Sequence, residues 1–380
     1  MKRKGCLSLF LKVFGGLLLL VALLLGGIAV YNMTLPERSP VLTKLSQEEL
    51  ARVAEITHLR QTLGDEVWPG WASMNIPILL YNEQYAFLSG MEQPDTGWVS
   101  VPYGAAEGGV WERVPQEDYY RQLLPEDGAT PQAFIVRIGD TFAASMTTKE
   151  WTSIHMVDLI QGELPGLFKP VFPYFLFTNR FNSDWFISAV LHESFHVLQA
   201  RRAYERLEES EQATALESEY PWGDDRFREL WVKERQKLAE ALEAQDSSDL
   251  KSATKEWVAL RDKRREQLPE NLIHYEQRRE WLEGLAKYAE LAVWSLAYHS
   301  QEYDPVPEMN EVADFDGYQG APSHRREEIS QLQRDLQFGE SMFYYTGWAQ
   351  AELLDRLRPG WKKNIMESGA YLDDLLQSGL

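Results

Sequence analysis

The sequence predicts an α+β fold, predominantly helical, with a β-rich part placed ahead of a long run of helices. Three observations carry this. Between Trp68 and Thr148, pairs of short β-branched and aromatic runs flank two-residue turn signals. From Ser183 onward, apolar residues recur at helical spacing. Within that helical part, His192-Glu193-Ser194-Phe195-His196 is an H-E-x-x-H pentad set among apolar residues, which marks a buried helix carrying polar chemistry.

The elements follow in chain order. Met1-Lys2-Arg3-Lys4 opens the chain, and residues 13–30 are an unbroken run of apolar residues and glycine. Such a run, made helical, reaches about 27 Å, the thickness of a bilayer core. Lys2, Arg3, Lys4 and Lys12 all precede it, so residues 1–33 read as a single-pass anchor with a cytoplasmic N-terminus and an extracytoplasmic main domain. The competing reading is a signal peptide cleaved near Gly27-Ile28-Ala29, which would leave a secreted protein. Cys6, the only cysteine, lies before the run, so the remainder forms no disulfide and relies on the core that its size allows.

Residues 34–66 are expected to be a helical stalk or docking element, opened by Ser46-Gln47-Glu48-Glu49. Residues 67–380 form the main domain. Its β-rich part, 67–150, holds two hairpins: 76–81 with 84–88 about Asn82-Glu83, and 133–138 with 141–146 about Gly139-Asp140. The pentad helix is expected over 183–206, with Ser183-Asp184 as its N-terminal cap. A helical insertion spans 207–270, and further helices fill 271–380, with breaks near Tyr220-Pro221-Trp222-Gly223, Asp246-Ser247-Ser248, Pro269 and Asp304-Pro305. The net charge of −20 argues against a nucleic-acid partner. Much of the acid lies at 205–266, interleaved with lysine and arginine as on solvated helix faces.

The pentad's chemistry follows from helix geometry. His192 and His196, four apart, stack on one face and can grip one metal ion, while Glu193 is rotated to the flank, beside the ion and not on it. Two histidines and a third ligand leave one coordination place open, where zinc lowers the pKa of water from about 16 to near 7. The bland alternative is a pair of core histidines with ordinary hydrogen bonds. Further on, Glu276, Glu280, Glu283, Lys287 and Glu290 form a charged stripe along an apolar helix. By pattern alone such a stripe is a solvated face. Gly284, inside it, points instead to another element packed closely there.

H-E-x-x-H followed downstream by Trp281-Leu282-Glu283-Gly284-Leu285-Ala286-Lys287-Tyr288 resembles the gluzincin zinc metallopeptidases, the clan of thermolysin and aminopeptidase N. The resemblance implies a zincin-like lobe, one zinc ion per chain, and Glu283 as the third ligand beside His192 and His196. It implies Glu193 as general base and a peptide or protein substrate. An acidic residue seven positions after the third ligand recurs in the aminopeptidase N branch and falls on Glu290, for which orienting a zinc histidine is the expected role. Phe343-Tyr344-Tyr345-Thr346-Gly347 is similar to that branch's Y-x-x-G, which implies Tyr344 as donor to the oxyanion, with Tyr345 as its neighbouring fallback.

The likeness covers about 50 residues in three islands and departs from the clan in three ways. About 87 positions separate His196 from Glu283, more than the clan's short spacing, so an insertion must be accommodated. No G-x-M-E-N precedes the pentad, so the free-amine capture of aminopeptidases does not carry over. Lys287 stands where thermolysin-like enzymes have an acid. His274 and His299, near Glu283 in sequence, are kept as substitute third ligands. The function expected is a membrane-anchored zinc peptidase; the rival is a non-catalytic, zincin-like anchored module that binds a peptide or cell-surface partner.

Overall fold

Both expected hairpins form, and together they make the body of one mixed sheet. The structure is a computed structural model and describes residues 3–379 except 93, 95–98, 102–103, 107–111, 114–118, 126–129, 179–180, 336–338 and 367–368; Met1 and Lys2 of the basic N-terminal cluster lie outside it. Strands β1 (Ile78–Tyr81) and β2 (Tyr85–Ser89) pair antiparallel, with Leu79 opposite Leu88. The short strands β3 (Val99–Val101), β4 (Gly104–Ala106) and β5 (Glu112–Arg113) precede β6 (Tyr119–Leu123). Strands β7 (Phe134–Ile138) and β8 (Thr141–Thr147) close the second hairpin, where Gly139 takes φ +56° as a two-residue turn demands. The spatial order is β4-β3-β7-β8-β1-β2-β6-β5, and only β1 with β8 is parallel.

Alternation along the strands divides two cores. Ile78, Leu80, Phe87, Ile135, Ala144 and Met146 face the helices, whereas Leu79, Tyr81, Leu88, Val136 and Ala143 form a second cluster on the opposite face. Helices make up the rest. In order they are α1 (Arg3–Asn32), α2 (Gln47–Val67), α3 (Lys149–Glu163), α4 (Phe175–Thr178), α5 (Ser183–Gln212), α6 (Asp225–Glu243), α7 (Ser247–Arg265), α8 (Glu270–Arg279), α9 (Leu285–His299), α10 (Ala321–Gln333), α11 (Met342–Leu357), α12 (Lys362–Ile365) and α13 (Leu372–Gln377). The chain is thus α+β and predominantly helical.

Helix α5 lies at the centre. Phe186, Ile187, Val190, Leu191, Phe195, Val197 and Leu198 are fully buried between the sheet and helices α2 and α9. Its cap is not Ser183-Asp184 but Asn182, whose side chain accepts from the Trp185 amide. Ser183 and Asp184 sit inside the first turn and tie it elsewhere. The Ser183 hydroxyl bonds Asp314 at 2.6 Å and receives Arg52 Nε at 2.9 Å, and Asp184 accepts the Asp316 amide at 2.7 Å. The helix runs past the expected 206 to Gln212, with one non-helical residue at Ala203.

Two further expectations change. Helix α2 is no free stalk, because Ile56, Leu59, Leu63 and Val67 belong to the main core. The charges of 205–266 are not all solvated either: Glu211, Glu234, Arg235, Arg261, Arg264 and Arg265 are buried. Helix α1 includes one 20-residue stretch, Val13–Asn32, with a mean hydropathy of 2.7 and none of it buried, long and apolar enough to cross a membrane.

Candidate metal centre

His192 and His196 stand one helical turn apart on α5, their ring centroids 4.9 Å apart. Each ring is held by its outer nitrogen. His192 Nδ1 lies 3.2 Å from Glu290 Oε2, and His196 Nδ1 lies 2.7 Å from Gln199 Oε1. The Gln199 amide nitrogen donates to the carbonyls of Trp281 and Leu282 at 2.9 and 3.0 Å, so its oxygen must face the histidine. Carboxylate and amide oxygens only accept here. Each Nδ1 therefore carries the proton, and in the neutral ring each Nε2 is left with its lone pair.

Both Nε2 atoms face the same oxygen. Glu283 Oε2 is 3.3 Å from that of His192 and 3.4 Å from that of His196. Arg279, one turn before on α8, holds the other oxygen of Glu283 at 2.9 Å, and it also binds Glu211 and Glu340. Three lone-pair atoms aimed at one point repel unless a proton or a cation sits among them. The protein's own charges answer with a proton: burial opposes the imidazolium of His192, but hydrogen bonds to Glu283 and Glu290 outweigh it and push its pKa up to about 10. A divalent cation meets the same demand. Ligand bonds of about 2.0–2.1 Å in a tetrahedron put the ligand atoms roughly 3.3 Å apart, close to the separations of Glu283 from each histidine. His192, His196 and Glu283 are the group of side chains, among the described residues, arranged to hold a metal ion.

Glu283 sits on a π-helical turn, Glu280–Gly284, between α8 and α9. Such turns insert a residue into a helix and often mark functional sites. Here the turn is fastened from two sides. Arg261 of α7 and the Thr346 hydroxyl of α11, the latter at 2.7 Å, both bind Glu280. The four carboxylates of the charged stripe are buried, not solvated, with Lys287 partly buried among them, and every member has a partner. Glu276 is met by Arg264 and Arg265, and Glu290 by Lys287 at 3.0 Å. Lys287 also reaches Glu328 at 2.9 Å. The lysine that departs from the thermolysin pattern thus keeps Glu290 ionised beside His192, and the Glu290 pKa stays well below the ordinary carboxylate range despite burial.

His192, His196 and Glu283 are buried, but Glu193 and Tyr344 keep partial exposure, which makes theirs the open face of the cluster. Glu193 Oε2 is a buried oxygen without a hydrogen-bond partner. Burial pushes its carboxyl up to about 8, countered by His192 and reinforced by Glu283 and Glu290. The Tyr344 ring stacks on His192 at 5.7 Å and 10°. Burial, and then the nearby charge of Glu283, raise the phenol's pKa well above its usual value. Tyr345 packs partly buried against the core clusters.

The substitute ligands lie elsewhere. His274 Nδ1 is 3.2 Å from Gln277, and His299 Nδ1 is 2.8 Å from the Ser295 carbonyl. Sequence reasoning missed Gln199 and Arg279. Their signal was only positional: Gln199 is three residues after His196 and Arg279 four before Glu283, each on its ligand's own helical face. Phe134 was missed as well; its ring lies 4.7 Å from that of His196 and joins β7 to the site. Compared with known protein families, with curated proteins and with solved structures, the chain gives no match.

Proposed function

We propose that the chain is a membrane-anchored zinc hydrolase, a peptidase of the gluzincin type. One observation carries this: three buried ligand atoms converge on a point beside an unpartnered glutamate oxygen, on a helix of sequence H-E-x-x-H. A scaffold needs neither the orphan oxygen nor the base. When bound by His192, His196 and Glu283, zinc supplies a Lewis acid that brings the pKa of water from about 16 to near 7. Glu193 takes the proton of the attacking water and delivers it to the leaving amine. Tyr344, stacked on His192, donates its hydroxyl to the developing oxyanion, a contact that matters only in the transition state. Gln199, Glu290 and Arg279 hold the ligands in place.

Arg3, Lys4 and Lys12 precede the apolar helix, which supports a cytoplasmic N-terminus and an extracytoplasmic domain. The test uses the purified full chain, zinc analysis and a broad peptide library that includes N-terminally blocked members. The wild type should hold about one zinc and cleave. Glu193→Gln should keep the zinc and lose about 10²–10⁴-fold in turnover. A wild type that holds zinc and cleaves nothing would establish the binding module instead.

A further inference from the structure

Beyond the anchor, the exposed large hydrophobic side chains are not scattered. Apart from Met33 at the anchor's end and Leu123, those of the described residues are Leu159, near the end of α3, and Leu167, Phe168, Leu176 and Phe177, in the segment that joins α3 to α5. Leu167 is 91% exposed and the others 41–59%. A soluble surface seldom gathers apolar side chains in this way without a partner.

The same segment touches the end of the anchor. The Asn32 side chain donates to the carbonyls of Pro170 and Phe172, each at 2.9 Å, and Tyr31 packs edge-on against Phe175 at 5.8 Å. The stretch Val13–Asn32 is 20 residues, about 30 Å of helix, so it is used up in crossing a hydrocarbon core, and Asn32 falls at the interface. Whatever packs on Asn32 lies at that depth too. Residues 164–178 contain no acidic residue and one basic one, Lys169, in a chain of net charge −20. Their backbone is also prepared for an apolar setting: the carbonyls of Lys169, Pro170 and Phe172 are taken by Tyr174 and Asn32.

We propose that residues 164–177 form a monotopic surface that inserts Leu167, Phe168, Leu176 and Phe177 into the outer boundary of the bilayer crossed by α1. The inference rests on that helix being a membrane anchor. It commits to lipid as the occupant, because the surface continues the anchor and shares its depth. The segment leads into α5, along which only about 14 Å of helix separates Ser183 from His192. The metal cluster is thereby held near the membrane, in reach of substrates close to its surface.

The test is lipid quenching of a fluorophore on the full chain. Cys6→Ser removes the sole cysteine, and single cysteines at Leu167, Phe177, Leu19 or Asp249 carry an environment-sensitive label in phosphatidylcholine vesicles with or without nitroxide-labelled acyl chains. Labels at Leu167 and Phe177 should be blue-shifted and quenched severalfold more than at Asp249, approaching Leu19. Quenching at Leu19 alone overturns the proposal and leaves the anchor standing. No quenching at Leu19 overturns both. A blue shift at Leu167 and Phe177 without quenching by lipid means that protein covers the surface, and the proposal fails.

Discussion

Gly284 and Gly347 meet backbone to backbone. A Cβ on Gly347 would come within 2.7 Å of Gly284 Cα, and one on Gly284 within 2.8 Å of the Gly347 carbonyl carbon. The crossing sets α11 against the π-helical turn and so brings Tyr344, three residues before one glycine, to Glu283, one residue before the other. Helix propensity alone says that Gly284→Ala should stabilise by about 1 kcal/mol. The clash should win: Gly284→Ala or Gly347→Ala is expected to destabilise by roughly 1–3 kcal/mol and to weaken metal binding. Denaturant unfolding with metal titration checks both. A more stable variant with unchanged metal affinity would show that the close crossing is not needed.

The ligand set makes a graded prediction. Glu283→Ala should lose most of the bound zinc. Glu290→Ala and Gln199→Ala, which free the outer nitrogens of His192 and His196, should each weaken affinity about 10–100-fold. Chelator competition measures this. If His274→Ala or His299→Ala costs more zinc than Glu283→Ala, the third ligand has been misassigned.

Tyr344→Phe keeps the ring stacked on His192 and deletes one donor. Zinc content and thermal stability should barely move, while kcat falls about 10²–10³-fold with KM little changed. Tyr345→Phe is the control and should be mild. Reversed effects would mean that the oxyanion donor is the neighbouring tyrosine. Peptides with blocked N-termini should be cleaved too; strict dependence on a free amine would contradict the missing G-x-M-E-N.

Acid should weaken the fold through Glu276. Burial alone would raise this carboxyl's pKa, but Arg264 and Arg265 more than offset it, and the folded value lies well below the usual range. A depressed folded pKa means stability that is present above the unfolded value of about 4.3 and is lost as pH falls below it. Glu276→Gln should destabilise at pH 7, because Arg264 and Arg265 each lose one of their two buried carboxylate partners and keep only Glu234 and Asp373, and should flatten the acid dependence below the unfolded carboxyl value. Unfolding curves from pH 7 to 3 read both; parallel pH profiles for variant and wild type would remove Glu276 from the account.

Local composition and spacing were enough for the long apolar N-terminal helix, the two hairpins and the placing of His192 and His196 on one face, because each depends only on residues near in sequence. Glu283 as a member of the candidate metal cluster was legible only by resemblance: nothing in the spacing singled it out from Glu276, Glu280 and Glu290, and the stripe looked like a solvated face. Tertiary structure decided otherwise. Arg261, Arg264 and Arg265 come from helix α7 to neutralise Glu276 and Glu280, so a stripe that should seek water is buried instead. Whether a charge is solvated depends on what the fold brings opposite it, and a periodicity along one helix carries no information about the charges on another.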